Sequence, residues 1–548
     1  MTRFFFLIGL CFITSNALAQ LNSQSKSYTY QDTLRGSLGK ERTWWDVTHY
    51  AVSVEPDFDK KYISGKVDIQ FKVIGNGDLM QIDLQAPMQL DKAMLGNSEL
   101  KYTRNGNVFF VQVDKNLPIG SDQQLSLVYS GNVQVAVRPP WDGGWIFSKD
   151  KLGRPWMSVA CQNLGASVWF PCKDHQGDEP DNGATLKINA PDSLVAVGNG
   201  RLKSKQSAKL GYTTWEWEVK NPINNYNIIP YIGKYVSFAE TYPGEKGKLD
   251  CDYWVLDYNV DKAKKQFQQV PQMLKAFEHW FGPYPFYEDG FKLVESPHLG
   301  MEHQSAVAYG NGYQNGYRGR DLSGSGWGLK WDFIIIHESG HEWFGNNITT
   351  NEVADMWVHE GFTNYSETIF TNYHYGKEAG DAYVQGTRKL IENASPIIGK
   401  YGVNEEGSGD MYYKGGNLVH YVRQLFDDDE KFRAALREMN KRFYHKITTS
   451  AEVEKFWSEQ VGRDLAPLFN QYLRDVKVPT FEILKQGNKI KYRWSDCQAN
   501  FNAPIRIFVD GNATWFYPTN SWKEYKTNKK PVELKPDPNF YAGFRELF

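Results

Sequence analysis

Cysteine is scarce in this chain: five among 548 residues, with no C-x-x-C pair. Cysteine zinc sites and thioredoxin-type redox sites depend on that spacing, so both are excluded. An excess of charge of one sign is also missing. Lys plus Arg total 62 and Asp plus Glu total 64, for a net charge of −2, and there is no long basic run. That argues against a dedicated nucleic-acid surface. No stretch of about 18 apolar residues occurs, so no membrane-spanning helix is expected. Internal repeats and low-complexity tracts are absent as well. What the chain has in quantity is aromatic bulk. Its 18 Trp, 32 Tyr and 32 Phe can fill a large core, which a disordered chain could not do. At roughly 150 residues per domain, the length predicts three to four domains.

Arg3 precedes an apolar run from Phe4 to Ile13, then Ser15-Asn16-Ala17-Leu18-Ala19 before Gln20. A charged start, an apolar stretch and small residues at the −3 and −1 positions form a secretory signal peptide. Residues 1–19 are therefore expected to be cleaved and the protein exported to a periplasm or the outside. Leu10 is too bulky for Cys11 to be a lipidation site. Cys161, Cys172, Cys251 and Cys497 remain after cleavage. Three complete pairings are open to them, and so are free buried thiols.

The expected fold class is α+β multidomain. Residues 20–43 read as a polar, loosely held lead-in. From 44 to 248 the chain alternates with period two, as in Tyr50, Val52 and Val54 or Val67, Ile69, Phe71 and Val73. Turn signals such as Gly75-Asn76-Gly77 punctuate it, so an N-terminal β domain is predicted. Residues 249–478 carry helical spacing, for example Asp261 to Phe281, Leu418 to Phe426 and Ala451 to Leu473. Gly310 to Gly328 reads as a long surface loop between helices. Residues 479–548 return to short strands and predict a small C-terminal β domain.

The chemistry lies in residues 333–346, which begin with four apolar side chains and continue His337-Glu338-Ser339-Gly340-His341. Two histidines four apart share one helix face, and there they can bind one zinc ion with Glu338 within reach of its water. A catalytic zinc needs a third protein ligand. Glu360 follows His341 after eighteen residues and is the candidate. His359 is its rival, since adjacent helical residues point about 100° apart. Glu367, two turns on, can orient a ligand histidine.

His-Glu-x-x-His, eighteen residues, then Glu resembles the gluzincin aminopeptidases, the family of aminopeptidase N and leukotriene hydrolase. Phe281-Gly282-Pro283-Tyr284-Pro285-Phe286, His341 to Asn346, Trp357 to Phe362 and Glu454 to Leu473 are also similar to that family. The resemblance spans roughly residues 44–478. It implies a thermolysin-like zinc catalytic domain holding one zinc ion on His337, His341 and Glu360, with Glu338 as general base. It also implies that peptides are cut only next to a free N-terminus. The family's Gly-x-Met-Glu-Asn segment corresponds to Leu299-Gly300-Met301-Glu302-His303, where Glu302 would hold the substrate ammonium and Gly300 and Met301 would line its site. Leu299 and His303 depart from the family pattern. Gln162, in Cys161-Gln162-Asn163, matches a second amine contact. The family's Tyr-x-Lys-Gly segment makes Tyr412 the oxyanion donor, with Tyr413 as rival.

Many members of that family carry a large helical domain over the cleft, and with only about 70 residues after residue 478 none is expected here. The cleft would then be open, or a homo-oligomer would cover it. Three other functions share these residues. A zinc endopeptidase would not need Glu302. An epoxide hydrolase would use the same site. A binding protein with a relic site would have no reason to keep the ligands, base and tyrosine together.

Overall fold

The computed structural model describes residues 27–114 and 117–548. The expected leader, residues 1–19, lies outside the described residues. Among the described residues, no helix is long and apolar enough to cross a membrane.

Alternation in the N-terminal third produces sheets with one buried face. Tyr50, Val52, Val54, Val67, Ile69, Phe71 and Val73 are at most 1% exposed, and their strands, Trp45–Asp57 and Tyr62–Val73, pair antiparallel. They sit inside an eight-stranded sheet, in which Trp45–Asp57 also runs parallel to Ala184–Pro191. A three-stranded and a four-stranded sheet complete this unit. Strand Tyr235–Gly244, placed by sequence in the N-terminal domain, belongs elsewhere. It opens the five-stranded sheet of the catalytic unit, paired with Gly247–Leu256. Period two identifies a strand but not the sheet it joins.

The lead-in is also firmer than expected. Tyr30–Gly36 is a helix with a capping box between Thr29 and Asp32. Arg35 pairs with Asp174. Arg42 is fully buried and bonds Asp83 at 2.5 Å. Cys161, Cys172, Cys251 and Cys497 are all free thiols.

The helical unit begins with a break that sequence periodicity missed. The run 261–281 forms two helices, Val260–Gln266 and Gln269–Phe281. Pro271 has no N–H for the carbonyl of Phe267, so the helix restarts there. The run 451–473 likewise splits into Ser450–Val461 and Ala466–Arg474. Gly462 ends the first part at φ +72°, with its N–H and that of Arg463 on the last carbonyls, the left-handed stop that glycine allows. The C-terminal strands, from Thr480 to Leu547, form a four-stranded and a three-stranded sheet. They share a hydrophobic core with the helices, and Tyr421 reaches across to donate to the Pro504 carbonyl at 2.8 Å.

Gly310 to Gly328 is not a simple surface loop. Asn311 is buried and donates to Asp332 Oδ1 at 2.8 Å. Asp332 in turn caps helix Phe333–Gly340 by accepting from the amides of Ile334 and Ile335. The loop is thereby tied to the helix carrying His337.

Candidate active site

Three helices meet at the site. Phe333–Gly340 carries His337 and Glu338 and ends on His341. Trp357–Tyr375 carries Glu360 and Glu367, and Asp410–Phe426 carries Tyr412 and Tyr413. Bare backbone lets them approach closely. A Cβ on Gly340 would lie 2.5 Å from Ser366 Oγ. Gly361 and Gly415 face each other, and a Cβ on Gly415 would lie 3.1 Å from the Gly361 Cα.

Metal-binding capacity follows from the outer hydrogen bonds. His337 Nδ1 is 2.7 Å from Glu367 Oε1, and His341 Nδ1 is 3.0 Å from the Phe344 carbonyl. A carboxylate and a carbonyl only accept, so both Nδ1 atoms carry the proton and both Nε2 atoms present a lone pair. Glu360 Oε2 lies 3.3 Å from His341 Nε2 and 3.7 Å from His337 Nε2. It is buried and makes no hydrogen bond. Although burial opposes charge on Glu360, His341 and His337 in their protonated form would hold its carboxyl far below the usual range, the place a metal cation would take. Two imidazoles and one orphaned carboxylate are a donor set suited to zinc. The ligand-capable atoms of His337, Glu338 and His341 also lie within 4.8 Å of one another. Glu338 and Glu360 both line the cavity, Glu338 at 9% exposure against 2% for Glu360. Burial pushes its pKa up to about 7, with Glu302 and Glu360 adding to the rise against the pull of the two histidines.

His359, the rival ligand, faces away. Its Nε2 accepts from the Thr350 amide at 2.9 Å. Glu367 is held in turn by Asn364 Nδ2 at 3.1 Å and by the Tyr383 hydroxyl at 2.6 Å. Sequence reasoning missed Tyr383, because nothing local marks its contact with Glu367.

The cavity, about 610 Å³, is lined by His337, Glu338, His341, Glu360, Glu302 and Gln162, among others. Glu302 Oε1 accepts from Gln162 Nε2 at 2.6 Å and from the Tyr226 hydroxyl at 2.8 Å. Tyr226 is a second residue the sequence did not reveal. Both donors are neutral, and Glu302 is 3% exposed. Burial raises its pKa, and Glu360 adds to the rise against the pull of His341. Met301 and Gly300 line the same wall. A Cβ on Gly300 would lie 2.6 Å from Glu338 Oε1, so glycine there leaves room for that carboxylate. Leu299 also lines the cavity. His303 points into the N-terminal unit, its Nδ1 2.5 Å from the Tyr231 hydroxyl.

Tyr412 and Tyr413 both line the cavity but differ in surroundings. Tyr412 stacks on His337 with centroids 6.0 Å apart. Burial and the charges of Glu360, Glu302, Glu406 and Glu338 keep its phenol protonated. Tyr413, also raised by burial, instead feels Glu367 and Tyr317.

A His–His–Glu set on two packed helices, behind a β-rich N-terminal unit, defines the zinc metallopeptidase class. The Peptidase M1 N-terminal domain matches residues 47–226, and the Peptidase family M1 domain matches residues 266–472. The chain belongs to peptidase family M1, whose cofactor is zinc. Human aminopeptidase B is 24% identical over 418 residues, covering 70% of this chain and 59% of its own length. Leukotriene A-4 hydrolase from Xenopus laevis is 23% identical over 335 residues, covering 57% of this chain and 51% of its own length. The chain thus spans about 59% of the length of the first of these relatives. The crystal structure of an M1 zinc metallopeptidase from Deinococcus radiodurans shares the fold, with TM-score 0.68 and 19% identity over 80% of this chain and 95% of that one. A mutant of that protein bound to a Tyr-Ser-Ala substrate matches with TM-score 0.65 and 19% identity over 79% of this chain and 95% of that one.

Proposed function

We propose that this protein is an exported zinc aminopeptidase that removes single residues from the free N-terminus of peptides. The observation that carries this reading is Glu302. It is a buried carboxylate in the cavity wall, bonded only to neutral Gln162 and Tyr226 donors. Among the described residues no lysine or arginine pairs with it. A buried carboxylate with no lysine or arginine beside it is costly, and a substrate ammonium supplies a direct counter-charge. An endopeptidase has no use for such a group.

His337 and His341, through Nε2, and Glu360 would hold the zinc ion. Bound there, zinc supplies a Lewis acid and lowers the pKa of water to about 7. Glu338 takes the proton of the attacking water and delivers it to the leaving amine. The Tyr412 phenol donates to the oxyanion that develops on the scissile carbonyl. Glu302 and Gln162 fix the ammonium and so set which bond lies over Glu338. Glu367, accepting from His337 Nδ1, keeps that ring in its ligand orientation.

A mass-spectrometric time course tests the activity, using peptides with free and acetylated N-termini, with and without a chelator. Stepwise shortening of free peptides alone, stopped by the chelator, is expected. Internal cleavage of acetylated peptides would replace this reading with an endopeptidase. Export is tested by N-terminal sequencing of the mature protein, which should begin at Gln20. A mature protein that keeps residues 1–19 contradicts it.

A further inference from the structure

Gln162, the residue bonded to Glu302, stands on a tight turn. Within residues 161–165 the Gly165 amide donates to the Cys161 carbonyl at 2.6 Å, and Gly165 sits at φ +83°. Gln162 and Asn163 on this turn both line the cavity. The Gln162 Nε2 is used on Glu302 at 2.6 Å, so its amide oxygen is the atom able to accept from an ammonium. Where that oxygen points depends on what holds the turn.

The holder comes from the lead-in, 129 residues away. Arg35 Nη2 donates to the Leu164 carbonyl at 2.8 Å. Gln85, from the β unit, donates to the same carbonyl at 2.6 Å, so the turn is gripped from two sides. Arg35 Nη1 donates to Ser167 Oγ at 3.2 Å and pairs with Asp174. The Asp174 carboxylate also accepts from the Ser167 amide at 3.0 Å. One guanidinium thus joins three points of the chain that follows Gln162. A Cβ on Gly165 would lie 2.0 Å from Arg35 Nη2, so bare backbone in the turn makes room for it.

The lead-in is itself fixed on both sides. Arg42 Nη1 donates to the Arg35 and Ser37 carbonyls at 2.9 Å each, and Gln81 Nε2 to the Leu34 carbonyl at 2.9 Å. Gly36 lies against the helical unit, where a Cβ would come 2.1 Å from the Asn404 nitrogen. Asn404 Nδ2 in turn donates to the Asn163 carbonyl at 3.4 Å. Helix Tyr30–Gly36 therefore sits where the two units meet beside the amine site. One of its residues grips the turn, and the next is seated on the other unit.

We infer that Arg35 is a positioning residue for amine recognition: it fixes the turn that presents Gln162 to Glu302 and to the substrate ammonium. Arginine suits the role because its rigid fork serves several acceptors at once, which a lysine ammonium on a flexible stem does not. This inference rests on the aminopeptidase reading above, in which Gln162 contacts the ammonium.

The test is a double-mutant cycle on the zinc-loaded protein, reading kcat and KM on an unblocked tripeptide together with Tm. Gln162→Ala should raise KM about tenfold, as for a hydrogen bond to a charged group. Arg35→Ala should raise KM about fivefold with kcat within about twofold, and in the Gln162→Ala background it should raise KM no further, since both act through one contact. Its cost in Tm should be equal in the two backgrounds, which separates positioning from general stability. Arg35→Lys keeps a charge beside Asp174 and should recover Tm more fully than KM. Thr29→Ala removes the capping box of the same helix and should lower Tm without moving KM. The inference is overturned if Arg35→Ala leaves KM unchanged, if the two KM effects multiply in the double variant, or if Thr29→Ala raises KM as much as Arg35→Ala. Should Arg35→Ala fail to fold, the cycle is run with Arg35→Lys, whose KM must likewise rise only where Gln162 is present. Gln162→Ala alone separates the two failures. If it raises KM while Arg35→Ala does not, only the role of Arg35 falls. If it leaves KM unchanged, the reading of Gln162 falls and takes this inference with it.

Discussion

The metal side and the amine side of the cavity are built in different ways. His337, Glu338, His341, Glu360 and Glu367 come from one continuous stretch folded into two packed helices. The amine side is assembled across the molecule. Gln162 and Glu302 are 140 residues apart, and Tyr226 and Glu302 are 76 apart. The contrast shows that the metal-binding residues are a local property of this fold. In the proposed reading, recognition of an N-terminus would depend on how the β unit docks against the helices.

Glu338→Gln should lower kcat by about 10³-fold or more while metal analysis still finds one zinc per chain. Substantial activity in that variant would remove Glu338 from its role and dissolve the metal side as drawn. Tyr412→Phe should cost about 10²-fold in kcat, as expected for one oxyanion donor. Tyr413→Phe should cost little, and the reverse ranking would exchange the two assignments. Glu367→Gln should weaken zinc by about 10- to 100-fold in a chelator competition. Unchanged zinc affinity would mean that His337 needs no outer partner.

On the amine side, Tyr226→Phe removes a neutral hydrogen bond to Glu302. It should raise KM about fivefold with kcat nearly unchanged. An effect confined to kcat would show that Tyr226 does not act through the ammonium anchor. The smallest effect concerns docking itself. Glu179 is buried and its Oε1 accepts from Thr349 across the two units at 2.7 Å. Burial raises its pKa to about 8 from the ordinary carboxylate value of 4.5. Between these values the folded state binds the extra proton, so stability falls as pH rises through that window and levels off above it. Glu179→Gln should flatten the loss of Tm between about pH 5 and pH 8. A wild-type slope in that variant would show that Glu179 does not set it.

What could be read in the sequence follows the same division. The pair His337 and His341 and the step from Glu360 to Glu367 are short-range regularities of a 3.6-residue period, and the eighteen-residue offset to Glu360 was legible through the resemblance to a known family. Tyr226 and Tyr383 matter only through contacts that the fold creates, and their neighbours in sequence carry no sign of them. Strand Tyr235–Gly244 falls within the range expected for the N-terminal β domain yet pairs in the catalytic unit's sheet, because alternation reports burial, not pairing. The glycine-rich stretch 310–328 resembled solvent-exposed loop because its anchor, Asn311 on Asp332, is a single tertiary contact. The lead-in looked loose because Arg42 is polar, yet Asp83 satisfies it in the core.

The facing pair Gly361 and Gly415 has a consequence for drift. Glu360 precedes one glycine, and Tyr412 lies one helical turn before the other. Side chains at a helix crossing can absorb a change by turning to another rotamer. Two bare backbones cannot, because nothing between them rotates. The spacing between Glu360 and Tyr412, the proposed metal ligand and oxyanion donor, is therefore gauged by two missing methyl groups, and a Cβ at either position, 3.1–3.3 Å from the facing backbone, would press on that spacing.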